Sequence, residues 1–323
     1  MDIMYDIAAF GEILIDFTEQ GGNENGQKLF VRNPGGAPAN MLTAAAHLGA
    51  KTAFLGKVGT DMHGRFLKET LEREKVDTTG LLLDENFFTT LAFVALNPQG
   101  ERSFSFARKP GADTQMTSGE LREDIIKNTR IFHVGSLSMT DEPAYGTTVY
   151  AVKLAKQSGA IISYDPNYRA ALWKNNEVAK QKMRSLIPFV DVMKISDEET
   201  ELLTGEKTVE KAAEVLLAQG VKIAAITLGS DGAYVRTKEG GSKIKGFLST
   251  AVDTTGAGDS FWGGFLYKIC ESGKRLEEIR LSEVSEFTLF ANSVASLCVE
   301  RQGGIPAMPY KNEVLERLQN LES

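Results

Sequence analysis

The amino-acid sequence predicts an α/β protein with a mostly parallel central sheet flanked by helices on both faces. Apolar runs of strand length alternate with segments of helical periodicity, which is the pattern of repeated βα units. Two stretches break this alternation, residues 13–32 and 89–108, and the second contains two strand-like runs around an Asn-Pro-Gln-Gly turn. We expect these stretches to form a small antiparallel sheet beside the main one, as a lid over a cleft.

The elements follow one another without a linker, repeat or low-complexity tract, so we expect residues 1–323 to form one domain. The predicted strands cover residues 5–11, 52–58, 131–135, 160–165, 190–195 and 222–228. The predicted helices cover residues 39–48, 64–74, 145–157, 178–187, 209–218, 260–270 and 284–299. Parallel sheets bind ligands at the carboxyl ends of their strands, which draws attention to the turns that begin at Asp165 and Gly229.

Composition and charge argue against several classes of partner. Acidic residues outnumber basic ones, 43 to 36, and no long basic run is present, unlike in a surface that follows nucleic-acid phosphates. No stretch reaches the ~18 consecutive apolar residues of a membrane span. Cys270 and Cys298 lie in apolar helical stretches far from any metal-binding spacing, which predicts free thiols. We therefore expect a cytoplasmic protein without nucleic-acid or membrane partners.

The strongest motif is a glycine-rich loop at residues 252–259 that leads into a helix. Gly256 and Gly258 allow backbone N–H groups to converge at the helix start, where the helix dipole attracts an anion. Asp259 in the first turn would then lie beside a bound phosphoryl group and could take a proton from an attacking alcohol. Alternatively, Asp259 only offsets the dipole and the glycines serve packing; the motif alone leaves both readings open.

A second motif, Asn33-Pro34-Gly35-Gly36-Ala37-Pro38-Ala39-Asn40, lies near the start of the chain. Together, the two motifs and the βα pattern between them resemble the PfkB (ribokinase-like) carbohydrate kinase family over nearly the whole chain. The resemblance implies a ribokinase-like fold and a β-sheet lid that often builds a homodimer interface. It also implies transfer of phosphate from ATP to a sugar hydroxymethyl group.

The resemblance assigns roles to both motifs. Asp259 matches the catalytic base, and Asp16 matches the acid that accepts hydrogen bonds from sugar hydroxyls. The backbone anion hole for the γ-phosphate matches three consecutive residues: Gly256, Ala257 and Gly258. The sugar-contacting end of the second motif corresponds to Gly35, Gly36 and Asn40. Without the resemblance, Asp16 could be a solvated carboxylate on an edge strand, and Asn40 a polar residue at a helix start.

The segment Asp165-Pro166-Asn167-Tyr168-Arg169 follows a predicted strand and resembles the family's DPNxR motif. Asp165 and Asn167 are therefore candidates for binding substrate. Arg169 is a candidate catalytic residue that either meets phosphate charge or pairs with an acid. The alternative is a turn in which Asp165 caps the following segment.

The resemblance also implies a nucleotide and magnesium site. The segment from Lys194 to Glu199 aligns with the family's NxxE motif, with Ser196 in place of the asparagine. Glu199 would help to hold the water shell of Mg²⁺, or it is simply an acid in a helix first turn capped by Ser196. Further nucleotide-binding candidates are Thr227, Gly229, Gly232, Gly258 and Asn292.

Several relatives surround a monovalent cation with backbone oxygens. The matching positions here are Asp253, Thr255, Cys298, Arg301 and Gly303. Ala307 stands where some relatives place a side-chain hydroxyl, so K⁺ would need one replacement donor. Asp253 could otherwise serve only to hold the loop.

The choice of sugar depends on the lid. Residues 104–113 are similar to the lid of fructokinases, and Phe104, Phe106 and Arg108 are candidates for contacting the sugar. Ordinary hairpin packing would explain the two aromatics equally well, and Arg108 could be a solvated strand-end charge. Fructose, converted to fructose 6-phosphate, is the first expectation. The alternatives are aminoimidazole riboside, 2-keto-3-deoxygluconate, and a sugar-binding regulator that has lost turnover.

Overall fold

The computed structural model describes residues 4–96 and 102–320, so the turn predicted around residues 97–100 lies outside it. The strands are β1 Tyr5–Phe10, β2 Leu14–Gly22, β3 Lys28–Gly35, β4 Thr52–Gly59, β5 Val76–Asp84, β6 Leu91–Leu96, β7 Arg102–Ala107, β8 Thr129–Gly135, β9 Ile161–Asp165, β10 Val192–Ser196, β11 Ile223–Thr227, β12 Ala233–Thr237 and β13 Gly240–Ile244. The α-helices are α1 Ala37–Leu48, α2 Met62–Arg73, α3 Glu123–Lys127, α4 Ala144–Gln157, α5 Asn176–Leu186, α6 Thr200–Thr204, α7 Val209–Ala218, α8 Ala257–Glu271, α9 Leu281–Cys298 and α10 Lys311–Gln319.

The central sheet has the strand order β13-β12-β11-β10-β9-β8-β1-β4-β5. All six predicted strands lie in it and pair in parallel, which confirms the predicted α/β class. Strand order reverses around β1, which pairs with β8 on one side and β4 on the other. The connections therefore diverge beside the carboxyl end of β1, where open α/β sheets leave a crevice for ligands.

The strands at both edges of this sheet were not predicted. β5 pairs with β4 in parallel, while β12 and β13 form an antiparallel hairpin on β11. Edge strands are buried on fewer sides, so their sequences lack the continuous apolar run that marks central strands. The sequence of β13, Gly-Gly-Ser-Lys-Ile, contains no apolar run. It forms a strand because its backbone pairs with β12.

The lid is a separate sheet with the order β3-β2-β6-β7. It includes both stretches expected to form it, and β3 extends it to Gly35. The prediction of a wholly antiparallel lid is wrong, because β2 and β6 pair in parallel, with Ile15 opposite Leu91. β2 follows β1 and β6 follows β5, and these two strands end at the same edge of the central sheet. Both lid strands therefore leave that edge in the same direction.

Helices cover both faces of the central sheet, as predicted. On one face α1, α2, α8 and α9 pack around Trp262 and Phe265, which are fully buried. On the other face α3, α4, α5 and α7 pack against Phe132 and Tyr164. Trp262 Nε1 also donates to Ser163 Oγ on β9, at 2.9 Å. This packing fixes α8 against the sheet and so fixes the position of its amino terminus.

Among residues 4–96 and 102–320, no helix combines the length and apolar character needed to cross a bilayer. The expected single domain and cytoplasmic location stay predictions.

Candidate active site

A cleft of about 330 Å³ lies between the carboxyl edge of the central sheet and the lid. The lid contributes Leu14, Asp16, Thr18, Asn33, Val94 and Phe106. The central sheet and its loops contribute Glu12, Gly36, Ala37, Asn40, Leu137, Asn167, Arg169, Lys194, Asp253, Thr254, Thr255, Gly256, Gly258, Asp259, Gly303 and Gly304. The structure thus brings predicted base, anion-hole, sugar and cation residues from distant parts of the sequence into one cleft.

Asp259 lies in the first turn of α8, in the floor of the cleft. Gly256 precedes this helix with φ of +78°, a left-handed conformation that favours glycine. The Asp259 side chain is buried, and its two oxygens accept hydrogen bonds from Asn40 Nδ2 at 2.8 Å and Asn167 Nδ2 at 3.2 Å. A carboxylate that only offset a helix dipole would not need two amides from distant elements to orient it. The arrangement favours the catalytic reading.

The two amides are themselves held in place. Asn40 lies in the first turn of α1, and a Cβ atom added to Gly304 would lie 2.6 Å from its Oδ1 atom. Asn167 has φ of +47°, unusual for a residue with a side chain, in the turn after β9. Strained residues of this kind are kept where surrounding structure determines their conformation, often at functional sites. The turn directs the Asn167 amide at Asp259.

A buried charge cluster lies beside Asp259. Lys194 Nζ on β10 donates to Asp165 Oδ2 at the end of β9, at 2.6 Å, and both side chains are buried. Burial acts to lower the pKa of Lys194, but the carboxylates of Asp165, Asp259 and Glu199 outweigh it and raise that pKa. Burial raises the pKa of Asp259, while the Lys194 charge and the Asn40 hydrogen bond oppose the shift. Lys194 therefore stays charged, and its charge favours the ionised form of Asp259.

Glu199 joins two of the loops at this edge. Its oxygens accept from the backbone N–H groups of Tyr168 at 2.7 Å and Ser196 at 2.8 Å, and the Ser196 hydroxyl also donates to it. The capping role and the predicted magnesium role are therefore compatible, since a carboxylate has further lone pairs for metal-bound water. Burial raises the pKa of Glu199. Its hard oxygen donors are of the kind that suits hydrated Mg²⁺.

The residues predicted to surround a monovalent cation lie together beside the start of α8. Asp253 accepts from the N–H groups of Thr255 at 2.9 Å and Gly303 at 3.0 Å, and Cys298 Sγ contacts the Thr255 carbonyl oxygen at 3.8 Å. Arg301 forms an ion pair with Glu313. No group of three His, Cys, Asp or Glu side chains within the described ranges could hold a metal ion. A monovalent cation here would depend on backbone oxygens.

Most of the predicted nucleotide residues lie outside the lining of this cleft. Ser196, Thr227, Gly229, Gly232 and Asn292 are absent from the described cleft lining, whereas Lys194 and Gly258 belong to it. Asn292 Nδ2 donates to the carbonyl oxygens of residues 244 and 245 at the end of β13, at 3.3 and 3.0 Å. In this structure Asn292 therefore fixes the loop beside the predicted nucleotide surface.

The lid residues differ in where they point. Phe106 lines the cleft, whereas the side chain of Phe104 lies outside the described part of the chain. Arg108 is not among the described lining residues, and the reading of a solvated strand-end charge is wrong. Its guanidinium is buried, pairs with Asp113 at 2.6 Å, and donates to the Leu137 carbonyl oxygen at 2.8 Å. Arg108 thus anchors the end of the lid to the central sheet.

Glu12 is a cleft residue that the sequence analysis missed. It lies two residues after the end of β1, and its position after a buried strand is the signal that could have found it. Glu12 Oε1 accepts from the Ala37 N–H group at the start of α1, at 3.0 Å, while Oε2 is buried without a hydrogen-bond partner among the described residues. Burial raises the pKa of Glu12 from 4.5 to about 7, despite the nearby Arg108.

This pKa shift predicts a pH-dependent effect of Glu12→Gln on stability. Between pH 4.5 and about 7 the native Glu12 keeps a proton that the unfolded chain releases, so stability falls as pH rises through this window. Glutamine keeps an oxygen for Ala37 but does not titrate. The free energy of unfolding of the variant minus that of the wild type should therefore be about 2–3 kcal/mol larger at pH 8 than at pH 5. The variant gains stability relative to the wild type as the pH rises. Urea titrations at both pH values measure it, and a pH-independent difference would contradict it.

Comparison with known proteins agrees with this geometry. Residues 4–311 match the model of the pfkB family carbohydrate kinases. A probable fructokinase-2 from Arabidopsis thaliana is 40% identical over 316 residues, covering 97% of this chain and 95% of the relative. A fructokinase from Xylella fastidiosa with bound ATP has a TM-score of 0.92 at 32% identity, covering 99% and 100% of the two chains. A Vibrio cholerae fructokinase bound to fructose, ADP and calcium has a TM-score of 0.89 at 30% identity, covering 98% and 100%. The chain therefore belongs to the pfkB family of carbohydrate kinases, as an ATP-dependent, fructokinase-like member.

Proposed function

We propose that this protein transfers the γ-phosphoryl group of ATP to the terminal hydroxymethyl group of fructose, giving fructose 6-phosphate. The observation that carries the proposal is the buried Asp259 at the start of α8. The amides of Asn40 and Asn167 orient this carboxylate, and it faces a cleft covered by the lid. The fructokinases among its relatives support the choice of sugar.

The proposed reaction begins with Asp259. An oxygen of this carboxylate accepts the proton of the sugar hydroxyl while the hydroxyl oxygen bonds to the γ-phosphorus. The bond between that phosphorus and the bridging oxygen breaks, and its electron pair leaves with ADP. The backbone N–H groups of residues 256–258, at the positive end of α8, stabilise the negative charge on the transferring group.

Magnesium, when bound, would neutralise charge on the phosphates and orient them. Glu199 would hold its water shell. Arg169, which lines the cleft, would meet phosphate charge from the turn after β9. K⁺ is proposed to bind the backbone oxygens around residues 253–255 and 298–303 and to support the anion hole.

The sugar would be held between the lid and the central sheet. Asp16, Thr18 and Asn33 face the cleft from the lid and supply acceptors and donors for a polyol. Gly35 lies so close to the Asp16 carboxylate that an added Cβ atom would collide with it. Phe106 adds an apolar cover. This mixture of polar groups and one aromatic ring suits a small neutral sugar.

A substrate panel tests the proposal. We expect ADP release in the presence of fructose, at higher kcat/KM than with ribose, aminoimidazole riboside, 2-keto-3-deoxygluconate or adenosine. Preference for aminoimidazole riboside or 2-keto-3-deoxygluconate would replace fructose and leave the kinase assignment intact. Binding of a sugar without turnover of any would instead favour a regulator.

A homodimer through the lid is also proposed. The lid exposes the apolar side chains of Leu29, Phe30, Val31 and Phe93. Phe30 and Phe93 form one patch, with ring centroids 6.1 Å apart, while Leu29 and Val31 point to the other face of the lid, because neighbouring residues of a strand alternate. Exposed apolar patches are typical of interaction sites. Sedimentation equilibrium should give twice the 35.2 kDa mass of one chain, and a monomer at micromolar concentration would contradict the dimer.

A further inference from the structure

Lys194 lies closer to the predicted anion hole than a residue that only contacts the nucleotide would need to. A Cβ atom added to Gly258 would lie 2.8 Å from Lys194 Nζ, so the ammonium group lies against the backbone of the anion hole. Lys194 also lines the cleft, although its side chain is almost completely buried. The Lys194 ammonium, which extends from β10, therefore lies next to the predicted phosphoryl position at the start of α8.

Asp165 holds this ammonium in place. The 2.6 Å contact joins the ends of the neighbouring strands β9 and β10, which fixes the lysine side chain without using its full donor capacity. A lysine ammonium has three N–H donors. Among the described residues, Asp165 Oδ2 is the acceptor that the structure shows for Lys194. Burying a lysine is costly unless it is paired, and a phosphoryl group next to Gly258 would supply a second anionic partner.

We propose that Lys194 is a catalytic residue that contacts the transferring phosphoryl group itself, with Asp165 as its positioning partner. The proposal rests on the kinase function proposed above. As the bond to the sugar oxygen forms and the bond to ADP breaks, negative charge is spread over the three equatorial oxygens of the phosphoryl group. The N–H groups of residues 256–258 and the adjacent Lys194 ammonium stabilise this charge together. Asp259 alone takes the proton.

Lys194→Met is the variant that tests this role. We expect kcat to fall by roughly 10²–10³, the effect typical of removing one transition-state donor, while the KM for fructose changes little. Calorimetry should show that the affinity for ADP with aluminium fluoride and sugar, a mimic of the transferring group, falls by a similar factor. The affinity for ADP alone should stay near the wild-type value.

Lys57→Met is the matched control. Lys57 is likewise buried at a strand of the central sheet and pairs with carboxylates, Asp84 at 3.2 Å and Glu120 at 2.6 Å, but it is not among the described cleft residues. It should lose stability without losing kcat at a temperature where the protein is folded. If Lys194→Met fails to fold, Lys194→Met combined with Asp165→Asn removes the unpaired acid and should show the same loss of affinity for the mimic.

Two results would overturn the proposal. An equal fall in affinity for ADP alone would mean that Lys194 binds the phosphates of the nucleotide and not the transferring group. An unchanged affinity for the mimic would mean that the lysine only stabilises the fold. A wrong choice of sugar would appear separately, in the wild-type panel, and the variants would then be compared on the sugar that the wild type accepts.

Discussion

Asp259→Asn is expected to lower turnover by about 10³-fold or more while leaving fructose binding measurable. A general base contributes typically 10²–10⁴-fold, and asparagine cannot accept the hydroxyl proton. The change should be tolerated locally, because asparagine has nearly the same size as aspartate and its amide oxygen can still accept a hydrogen bond from Asn40 or Asn167. The binding energy of the sugar does not depend on proton transfer, so calorimetric titration with fructose should still give a dissociation constant near that of the wild type.

The control for this variant is Asp191→Asn. Asp191 is also a buried aspartate with ion pairs, to Lys156 and Lys222, but it lies at the opposite edge of the sheet, before β10. We expect it to lower stability and to keep turnover per folded molecule. Wild-type turnover in Asp259→Asn would refute the assigned base and would favour a carboxylate that only offsets the helix dipole.

Gly36→Ala is expected to lower the free energy of unfolding by about 3–5 kcal/mol. Gly36 precedes α1 with φ of +113° and ψ of 122°, a conformation that residues with a side chain rarely adopt. An added Cβ atom would also lie 2.5 Å from the Glu12 carbonyl oxygen and 2.9 Å from Ile13 Cα. Neither neighbour is the end of a flexible side chain, so backbone must move. Urea titration measures the loss.

Gly49→Ala is the control. Gly49 follows the other end of α1 in the left-handed helical region, with φ of +112° and ψ of 7°, and an added Cβ atom would meet nothing within 4 Å. It should therefore cost only the conformational strain, about 1–2 kcal/mol. A loss for Gly36→Ala no larger than that for Gly49→Ala would contradict the prediction.

Much of the fold follows from local pattern. The runs that became β1, β4 and β8 to β11 are nearly continuous apolar segments, because a strand buried on both faces tolerates little else. Their alternation with amphipathic helices leaves few topologies. β13 and the parallel pairing of β2 with β6 could not be predicted in this way, because hydrogen bonds to a neighbouring strand, and not side-chain pattern, determine them.

The site shows the same division. The sequence by itself determined the glycine-rich loop around Gly256, the helix that follows it and the acid in its first turn, because these depend on local backbone geometry. Only the tertiary structure decided that Asn40 donates to Asp259 from 219 positions away, that Arg108 turns inward to Asp113, and that Lys194 lies against Gly258. The physical reason is that hydrogen bonds, burial and charge pairing act over a few ångströms, and only folding brings distant residues that close.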